Sequence, residues 1–267
     1  MARTYVITGA GSGIGKATKE LLETQGHTVI GVDLKGADIA ADLGTKQGRI
    51  DAANAATEAA DGAVDAVIAC AGVTLPSPVT VSVNYFGMTE FLSAMAPVLA
   101  KAEAPRAVLI SSFSSLQEND PALVEAMCVE DDEDAARAMA EKIADELGPQ
   151  AAQGIIYAST KRAISRWVRR ESIKPQWAGA GIPLNAVGPG VIKTPMTATW
   201  LESEEGRQYL LTVVPMPLNG FAEPEVVAEL MIWLTSPVNT HVTGQTVYVD
   251  GGADVAMRGE NIWDLAD

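Results

Sequence analysis

The sequence feature that most constrains the fold is a short apolar run followed at once by a glycine-rich loop and a helical pattern, within residues 3–25. Residues 3–8, RTYVIT, are rich in β-branched and aromatic side chains, which predicts a buried strand. Residues 8–15, TGAGSGIG, form the loop, and residues 16–25 have the pattern of a helix that ends near Gly26. Later parts of the chain alternate strand and helix in the same way, which predicts a doubly wound α/β sheet.

The glycine-rich loop has the chemistry of a phosphate-binding site. Glycines let the backbone approach a pyrophosphate closely, and the free N–H groups and the dipole at a helix start favour its negative charge. A glycine loop alone could equally be a tight turn, so the interpretation depends on the strand before it and the helix after it. The loop residues that we expect to contact a dinucleotide are Gly9, Ser12, Gly13, Ile14 and Gly15.

Asp33 ends a second predicted strand, residues 27–32. An acidic residue about 20 positions beyond the loop can accept hydrogen bonds from the adenosine ribose and repels a 2′-phosphate. Asp33 therefore favours NAD over NADP, unless it is only a turn or cap residue at the strand end. Lys35 lies close by in the sequence and could weaken this preference.

Two more predicted strands lead to further coenzyme contacts. Residues 39–43 read as a short third strand whose end either borders the adenine or forms a turn, and residues 64–72 form a fourth strand with its exit. Small residues at that exit let a ribose lie against the backbone, whereas the preceding Cys70 is most simply a buried filler. The expected contacts are Asp42, Leu43, Ala71 and Gly72.

Polar side chains also occur in two otherwise apolar segments. Asn84 lies in a helix predicted from residue 83 toward Leu99, and a buried amide needs partners, so it is either structural or part of a water relay. Ser111 and Ser112 end a fifth predicted strand, residues 107–112, at the sheet edge where ligands bind in open parallel sheets.

Tyr157 and Lys161 are four residues apart in a predicted helix, so their side chains share one face. A fixed cation beside a tyrosine stabilises the phenolate and lowers the phenol pKa from its ordinary value of about 10. The pair suggests proton transfer, although ordinary solvated helix faces produce the same spacing.

The motifs occur in a characteristic order: Thr8 and the glycines at 9, 13 and 15, then Ala71-Gly72, Asn84, Ser112, Tyr157 with Lys161, and Pro189-Gly190. In this combination the chain resembles the short-chain dehydrogenase/reductase family over nearly its whole length. Within that family, residues 81–87 and 250–258 are similar to the bacterial 3α-hydroxysteroid dehydrogenase/carbonyl reductase group.

The resemblance implies a role for each matched side chain. Tyr157 would be the general acid and base for the substrate hydroxyl, and Ser112 would orient and polarise the substrate oxygen, with Ser111 as the competing serine. Lys161 would lower the pKa of Tyr157 and hold the nicotinamide ribose. Asn84 would support a water path to bulk solvent.

The exit loop of a sixth predicted strand, residues 183–187, completes the coenzyme site by the same resemblance. Residues 191–194 would meet the nicotinamide carboxamide. The expected contacts, besides Tyr157 and Lys161, are Pro189, Gly190, Ile192 and Thr194. One position departs from the family pattern, because Cys70 stands where an asparagine often precedes Ala-Gly, and this puts that one contact in doubt.

An acidic insertion, at about residues 113–154, separates Ser112 from Tyr157 by 45 positions, far more than in most family members. Residues 113–156 contain 11 acidic and two basic residues. Residues 130–147 read as an amphipathic helix with acids at its positive end, stopped by Gly148-Pro149. The insertion is either a solvated excursion, a wall of the substrate cleft, or a block on the helix surface through which family members commonly dimerise.

A substrate lid is predicted at about residues 195–221, where methionines and aromatic residues suit an apolar ligand. Met196 and Trp200 are the expected substrate contacts, together with Ser112 and Tyr157. Packing of these helices against the core is the alternative. Trp263, near the end of the chain, could dock on a neighbouring subunit.

Composition excludes several classes of protein. The 267 residues carry a formal charge of −15, which argues against nucleic acid and anionic membrane surfaces as partners. No apolar run approaches the roughly 20 residues of a membrane span. Two cysteines, two histidines and no secretory leader predict a cytoplasmic protein without a metal site.

The sequence therefore predicts one doubly wound α/β domain over residues 1–267, assembled as a homodimer or homotetramer. Its expected activity is NAD-dependent interconversion of a secondary alcohol and a ketone on an apolar alicyclic substrate such as a 3α-hydroxysteroid. Two alternatives stay open, namely a reductase of another cyclic or aromatic carbonyl and a non-catalytic NAD-sensing protein on the same fold.

Overall fold

Seven short strands pair in parallel in the computed structural model, which describes residues 2–262, and helices cover both faces of the sheet. The spatial order is β3-β2-β1-β4-β5-β6-β7, so the direction of winding reverses between β1 and β4. This confirms the predicted doubly wound fold. The strands are β1 Thr4–Thr8, β2 Thr28–Asp33, β3 Ile39–Ala40, β4 Ala66–Ala69, β5 Arg106–Ile110, β6 Leu184–Pro189 and β7 Thr246–Val249.

The central strands form the core. Every residue of β4, β5 and β6 is buried, as expected for a parallel sheet with helices on both sides. The helices are α1 Gly13–Thr24, α2 Lys46–Ala59, α3 Pro78–Val81, α4 Gly87–Leu99, α5 Pro121–Glu125, α6 Glu133–Leu147, α7 Pro149–Glu171, α8 Ala198–Leu201, α9 Glu204–Val213, α10 Pro224–Thr235 and α11 Ala253–Arg258.

The third strand is shorter than the predicted residues 39–43 and contains only Ile39–Ala40. Asp42 Oδ1 accepts a hydrogen bond from Gly44 N at 2.9 Å, and this turn leads directly into the cap of α2, where the Thr45 hydroxyl accepts from Gly48 N at 3.1 Å. Because the Asp42 side chain and backbone both bond within this turn, the backbone leaves the sheet before residue 42.

Two helices begin earlier than predicted. Helix α1 begins at Gly13 rather than at residue 16, since the glycine run continues into the first turn. The helix expected from residue 83 begins at Pro78, because proline is favoured in the first turn of a helix. Between α3 and α4 the chain forms a π-helical turn, Ser82–Phe86.

The acidic insertion is a packed layer rather than a free loop. Helices α5 and α6, joined by a π-helical turn at Ala126–Glu130, contact α7, and α6 also contacts α3. The α6 helix begins after Asp132, whose Oδ1 accepts from Ala135 N at 3.0 Å, and it ends at Gly148, with a φ of 73°. Apart from Glu133, the acids of α6 are exposed, while Ala136, Ala140 and Ile143 on α6 and Leu123 and Met127 before it are buried.

The predicted contact of Trp263 with a neighbouring subunit lies outside the described residues. Within residues 2–262, no helix has both the length and the apolar character needed to cross a membrane. The same part of the chain contains no group of three His, Cys, Asp or Glu side chains placed to hold a metal ion.

Candidate active site

A cleft of about 540 Å³ opens at the carboxyl ends of the strands, where the winding of the sheet reverses. All the predicted coenzyme and substrate contacts line it, and of the predicted catalytic residues only Asn84 lies behind its wall. The lining residues that the sequence singled out are Gly9, Ser12, Gly13, Ile14, Gly15, Asp33, Asp42, Leu43, Ala71, Gly72, Ser112, Tyr157, Lys161, Pro189, Gly190, Ile192, Thr194, Met196 and Trp200.

The glycine loop packs so tightly that side chains are excluded at two positions. Gly9 has a φ of 72°, and its N–H donates to Val32 O at 2.8 Å. A Cβ on Gly15 would lie 2.2 Å from Gly9 O. Ser12 caps α1 without a side-chain hydrogen bond, so the first-turn N–H groups stay available to an anion. The loop therefore fits the pyrophosphate of a dinucleotide.

Asp33 is held rigidly at the end of β2. Its Oδ2 accepts from Gly11 N at 3.0 Å, and its Oδ1 accepts from Leu34 N at 2.6 Å. The carboxylate lines the cleft beside the glycine loop, where an adenosine ribose would lie if a pyrophosphate occupied the loop. Lys35, which could have opposed its charge, is exposed.

The two neighbouring serines at the end of β5 have different partners. Ser111 is buried, and its Oγ donates to Lys161 O at 3.1 Å and lies 2.9 Å from Ser165 Oγ, so it connects β5 to α7. Ser112 is only partly buried, and its Oγ accepts from Ser114 N at 3.1 Å. Because this bond leaves the Ser112 hydroxyl hydrogen free, Ser112 rather than Ser111 can donate to a ligand in the cleft.

Tyr157 and Lys161 meet on one face of α7, as the spacing predicts. Lys161 Nζ lies 5.5 Å from the centroid of the Tyr157 ring and donates to Ile110 O at 3.1 Å. Only 2% of the Lys161 side chain is exposed, and burial lowers the pKa of its ammonium to about 7.

The predicted lowering of the Tyr157 pKa is wrong for this arrangement. Burial raises the pKa of the phenol above its usual range, and the neighbouring Ser112 hydroxyl offsets only part of that rise. The physical reason is that burial removes the phenolate from water, while Lys161 is itself desolvated and donates to Ile110 O.

The titration of Lys161 should be visible in the stability of the protein. The folded state releases this proton near pH 7, whereas the unfolded chain holds it up to the ordinary lysine value of 10.5. The unfolded state therefore binds more protons between these values, so stability rises with pH by up to about 1.4 kcal/mol per unit. We expect the free energy of unfolding in urea to rise for wild type relative to Lys161→Met as the pH increases from 7 to 9.5. Parallel curves would mean that Lys161 stays charged.

Asn84 lies at the centre of the π-helical turn, fully buried. Its Oδ1 accepts from Val73 N at 2.8 Å, and its Nδ2 donates to Val73 O at 2.9 Å and to Thr160 Oγ1 at 3.3 Å. A Cβ on Gly72 would lie 3.4 Å from Asn84 Oδ1 and 3.8 Å from Lys161 Nζ. The amide thus reaches the back of the cleft next to Lys161.

Cys70 fills space beside the core, as expected, and also lines the cleft. Its Sγ contacts Met231 Sδ at 3.7 Å, and its backbone N–H donates to Thr8 O and Thr8 Oγ1, each at 3.1 Å. Burial raises the pKa of the Cys70 thiol to about 12, although the Lys161 charge offsets part of the rise. The thiol therefore stays protonated. The hydrogen bonds of the Cys70 backbone N–H to Thr8 hold the exit of β4.

The predicted lid forms an apolar wall over one end of the cleft. Trp200 on α8 stacks on Tyr209 of α9, with ring centroids 5.2 Å apart. Met216 Sδ accepts from Val191 N at 3.2 Å, which joins the lid to the exit of β6. Side chains on α9 and directly after it, Leu210, Val213 and Val214, also line the cleft.

Polar residues on the substrate side were missed by the sequence predictions. Gln117 Nε2 donates to Val213 O at 2.9 Å, and Gln153 Nε2 donates to Thr74 O at 3.0 Å and to Thr74 Oγ1 at 3.1 Å. All three polar side chains line the cleft. Gln153 precedes Tyr157 by one helical turn, so helical periodicity could have found it; Gln117 and Thr74 carry no such signal.

The chain is similar to known proteins over nearly its whole length. A family model described as enoyl-(acyl carrier protein) reductase matches residues 9–254. The 3-alpha-hydroxysteroid dehydrogenase/carbonyl reductase of Comamonas testosteroni is 35% identical over 260 residues, which cover 95% of this chain and 97% of that protein.

Solved structures show the same likeness. The crystal structure of the 3-alpha-hydroxysteroid dehydrogenase from Pseudomonas sp. B-0831 complexed with NADH is 36% identical, with a TM-score of 0.85 and coverage of 96% of this chain and 99% of that one. Levodione reductase, at 21% identity, shares the fold with a TM-score of 0.73, covering 95% of this chain and 98% of its own. With this fold, this cleft and these relatives, the chain belongs to the short-chain dehydrogenase/reductase family of oxidoreductases.

Proposed function

We propose that the protein interconverts a secondary alcohol and a ketone with NAD, on an apolar alicyclic substrate such as a 3α-hydroxysteroid. The observation that carries the proposal is the meeting of Ser112, Tyr157 and Lys161 in one cleft beneath the apolar lid. A relative that is similar over nearly its whole length is a 3-alpha-hydroxysteroid dehydrogenase complexed with NADH, which supports both the substrate class and the coenzyme.

The coenzyme would lie along the carboxyl edge of the sheet. The glycine loop would hold its pyrophosphate, and the fixed Asp33 carboxylate would accept hydrogen bonds from its adenosine ribose. At the far end, Ile192 and Thr194 lie at the exit of β6, where they would contact the nicotinamide. When bound, the nicotinamide ring supplies or accepts the hydride.

The chain's own residues would manage the proton and orient the substrate. The Ser112 hydroxyl, which accepts from Ser114 N, can donate its hydrogen to the substrate oxygen and hold it beside the Tyr157 hydroxyl. Tyr157, whose pKa is raised by burial, would be a neutral phenol that donates its proton to the carbonyl oxygen in reduction. In oxidation the phenol would first release its proton toward solvent, and the resulting phenolate would take the proton of the alcohol. Lys161 and Asn84 would connect this proton to solvent behind the cleft.

The substrate side of the cleft fits an uncharged ligand. Its described lining combines the apolar lid with the neutral side chains of Gln117 and Gln153, and Lys161 is the one cation among all the described residues that line the cleft. A carboxylate or phosphate on the substrate side would find no free cation there, whereas an alicyclic ring system would bury its surface against Trp200 and the valines of the lid.

We also propose that the chain is a cytoplasmic homo-oligomer whose interface avoids the face of α7 that α5 and α6 cover. Only the two ends of the insertion, near Gln117 and Gln153, line the cleft among the described residues. The packing of α6 on α7 therefore supports the third of the roles considered for the insertion, the block on the helix surface used for dimerisation.

The test is the formation of reduced nicotinamide with NAD against 3α- and 3β-hydroxysteroids, cyclic alcohols and short aliphatic alcohols. Selective oxidation of one steroid epimer supports the proposal. Silence across the panel, with NAD binding shown separately by calorimetry, would exclude this substrate class. A reductase of another cyclic or aromatic carbonyl, or an NAD-sensing protein, would then be the function to test.

Replacing Asp33 by Ala should narrow the preference for NAD over NADP. The fixed carboxylate is a negative charge that a 2′-phosphate would approach, so its removal should raise kcat/KM with NADP and lower kcat/KM with NAD. The ratio of the two kcat/KM values should change by about tenfold to a hundredfold. The measurement is kcat/KM with both coenzymes in wild type and variant. An unchanged ratio would mean that another group selects the coenzyme.

A further inference from the structure

The turn that carries Asn84 is held at both ends by the acidic insertion. The π-helical turn Ser82–Phe86 places Asn84 at its centre. We propose that α6 is a positioning element for Asn84, and that Arg137 is the positioning residue that acts through Ser82. This inference rests on the proposed function, because it takes Asn84 to be part of the proton path.

Arg137 contacts the first residue of the turn. Its Nη1 donates to Ser82 Oγ at 2.6 Å, and the Ser82 side chain is fully buried. A hydrogen bond from a charged guanidinium is stronger than one between neutral groups, and breaking it would leave a buried hydroxyl without this partner. The beginning of the turn is therefore tied to α6.

Arg49 connects α6 to the last residue of the turn. Its Nη2 donates to both carboxylate oxygens of Glu133, the first residue of α6, at 2.8 and 2.7 Å, and its guanidinium carbon lies 5.9 Å from the centroid of the Phe86 ring. Its Nη1 lies 3.1 Å from Glu90 Oε2 on α4. Because Arg49 is buried, removing either carboxylate would leave an undercompensated charge, so this connection resists displacement.

The turn depends on such contacts because its geometry is unusual. A π-helical turn contains one residue more than an α-helical turn and is rare. If the turn relaxed to α-helical geometry, it would hold one residue fewer, and Asn84 would rotate by roughly 100° about the helix axis. The amide would then lose its bonds to Val73 and Thr160, which hold it behind Lys161.

The experiment compares Arg137→Ala, Ser82→Ala and the double variant as holoenzymes with NAD and the best alcohol of the panel. Each single variant should lower kcat by about fivefold, because small displacements near a site reduce the rate without altering binding. The KM for NAD should stay unchanged. The double variant should be no slower than the single ones, since both changes break the same hydrogen bond. Arg137→Lys, which keeps a cationic donor, should restore part of the rate.

Arg166→Ala is the matched control. Arg166 also pairs with the insertion, through Glu125 Oε1 at 3.0 Å, but this pair is exposed and does not touch the turn. Its kcat should stay within about twofold of wild type. The inference would be overturned if the effects of Arg137→Ala and Ser82→Ala on log kcat were additive in the double variant. It would also be overturned if Arg166→Ala lowered kcat as much as they do.

Amide hydrogen exchange separates this inference from the proposed function, because it needs no substrate. In Arg137→Ala, exchange over residues 82–86 should accelerate by about tenfold or more, with the glycine loop unchanged. Unchanged exchange in that segment would overturn the inference even where turnover is present. Accelerated exchange in a protein that oxidises no alcohol of the panel would support the positioning of the turn while the proposed substrate class fails.

Discussion

Replacing Tyr157 by Phe is expected to lower kcat by about a thousandfold or more, because positioned proton transfer contributes rate factors of that order. The variant keeps the ring that packs beside Lys161 and loses only the hydroxyl that would exchange a proton with the substrate oxygen. Coenzyme affinity should stay within about threefold, since the glycine loop and Asp33 are untouched. The measurements are steady-state rates and the NADH dissociation constant from fluorescence titration.

Tyr5→Phe is the matched control for this change. Tyr5 lies in β1, is buried in the core and does not line the cleft. Tyr5→Phe removes the same hydroxyl group, so a general effect of this substitution on folding should also appear in that variant. Undiminished turnover in Tyr157→Phe, or an equal loss in Tyr5→Phe, would contradict the role of Tyr157 as the proton donor and acceptor.

Replacing Gly15 by Ala should abolish most coenzyme binding. The added Cβ would lie 2.2 Å from Gly9 O and 2.7 Å from Gly9 C, and these are backbone atoms that cannot move away as a flexible side chain could. The loop must shift, which should cost about 1–3 kcal/mol of stability. We expect NADH affinity to fall by about a hundredfold, since pyrophosphate binding depends on the close approach of this backbone.

Gly154→Ala makes the same chemical change in open space. A Cβ on Gly154 would meet nothing within 4 Å, and the residue lies within α7. Alanine there should stabilise the protein by about 0.5–1 kcal/mol and leave NADH binding unchanged. Equal NADH affinity in the two variants would show that the glycine loop is not the coenzyme cradle.

Local sequence patterns were sufficient to predict the sheet and most of the cleft. The β-branched runs marked the strands because a strand buried on both faces has to be apolar along its length. The glycine loop, Asp33 and Ser112 follow directly after such strands, and the carboxyl ends of parallel strands meet at one edge. The spacing of Tyr157 and Lys161 placed both side chains on one helix face, and the structure has them there.

Tertiary packing decided what these patterns could not. The pKa values of Tyr157 and Lys161 depend on how completely neighbouring elements exclude water, and this has no signature in the spacing of the two residues. Gln117 joins the cleft because it bonds to Val213 on the lid, nearly a hundred residues later in the chain. The acidic residues of α6 predicted a solvated helix, yet Glu133 and Arg137 on that helix hold a buried arginine and a buried serine. Charge patterns show which residues can pair, whereas only the packing of distant elements determines which pairs form and which are removed from water.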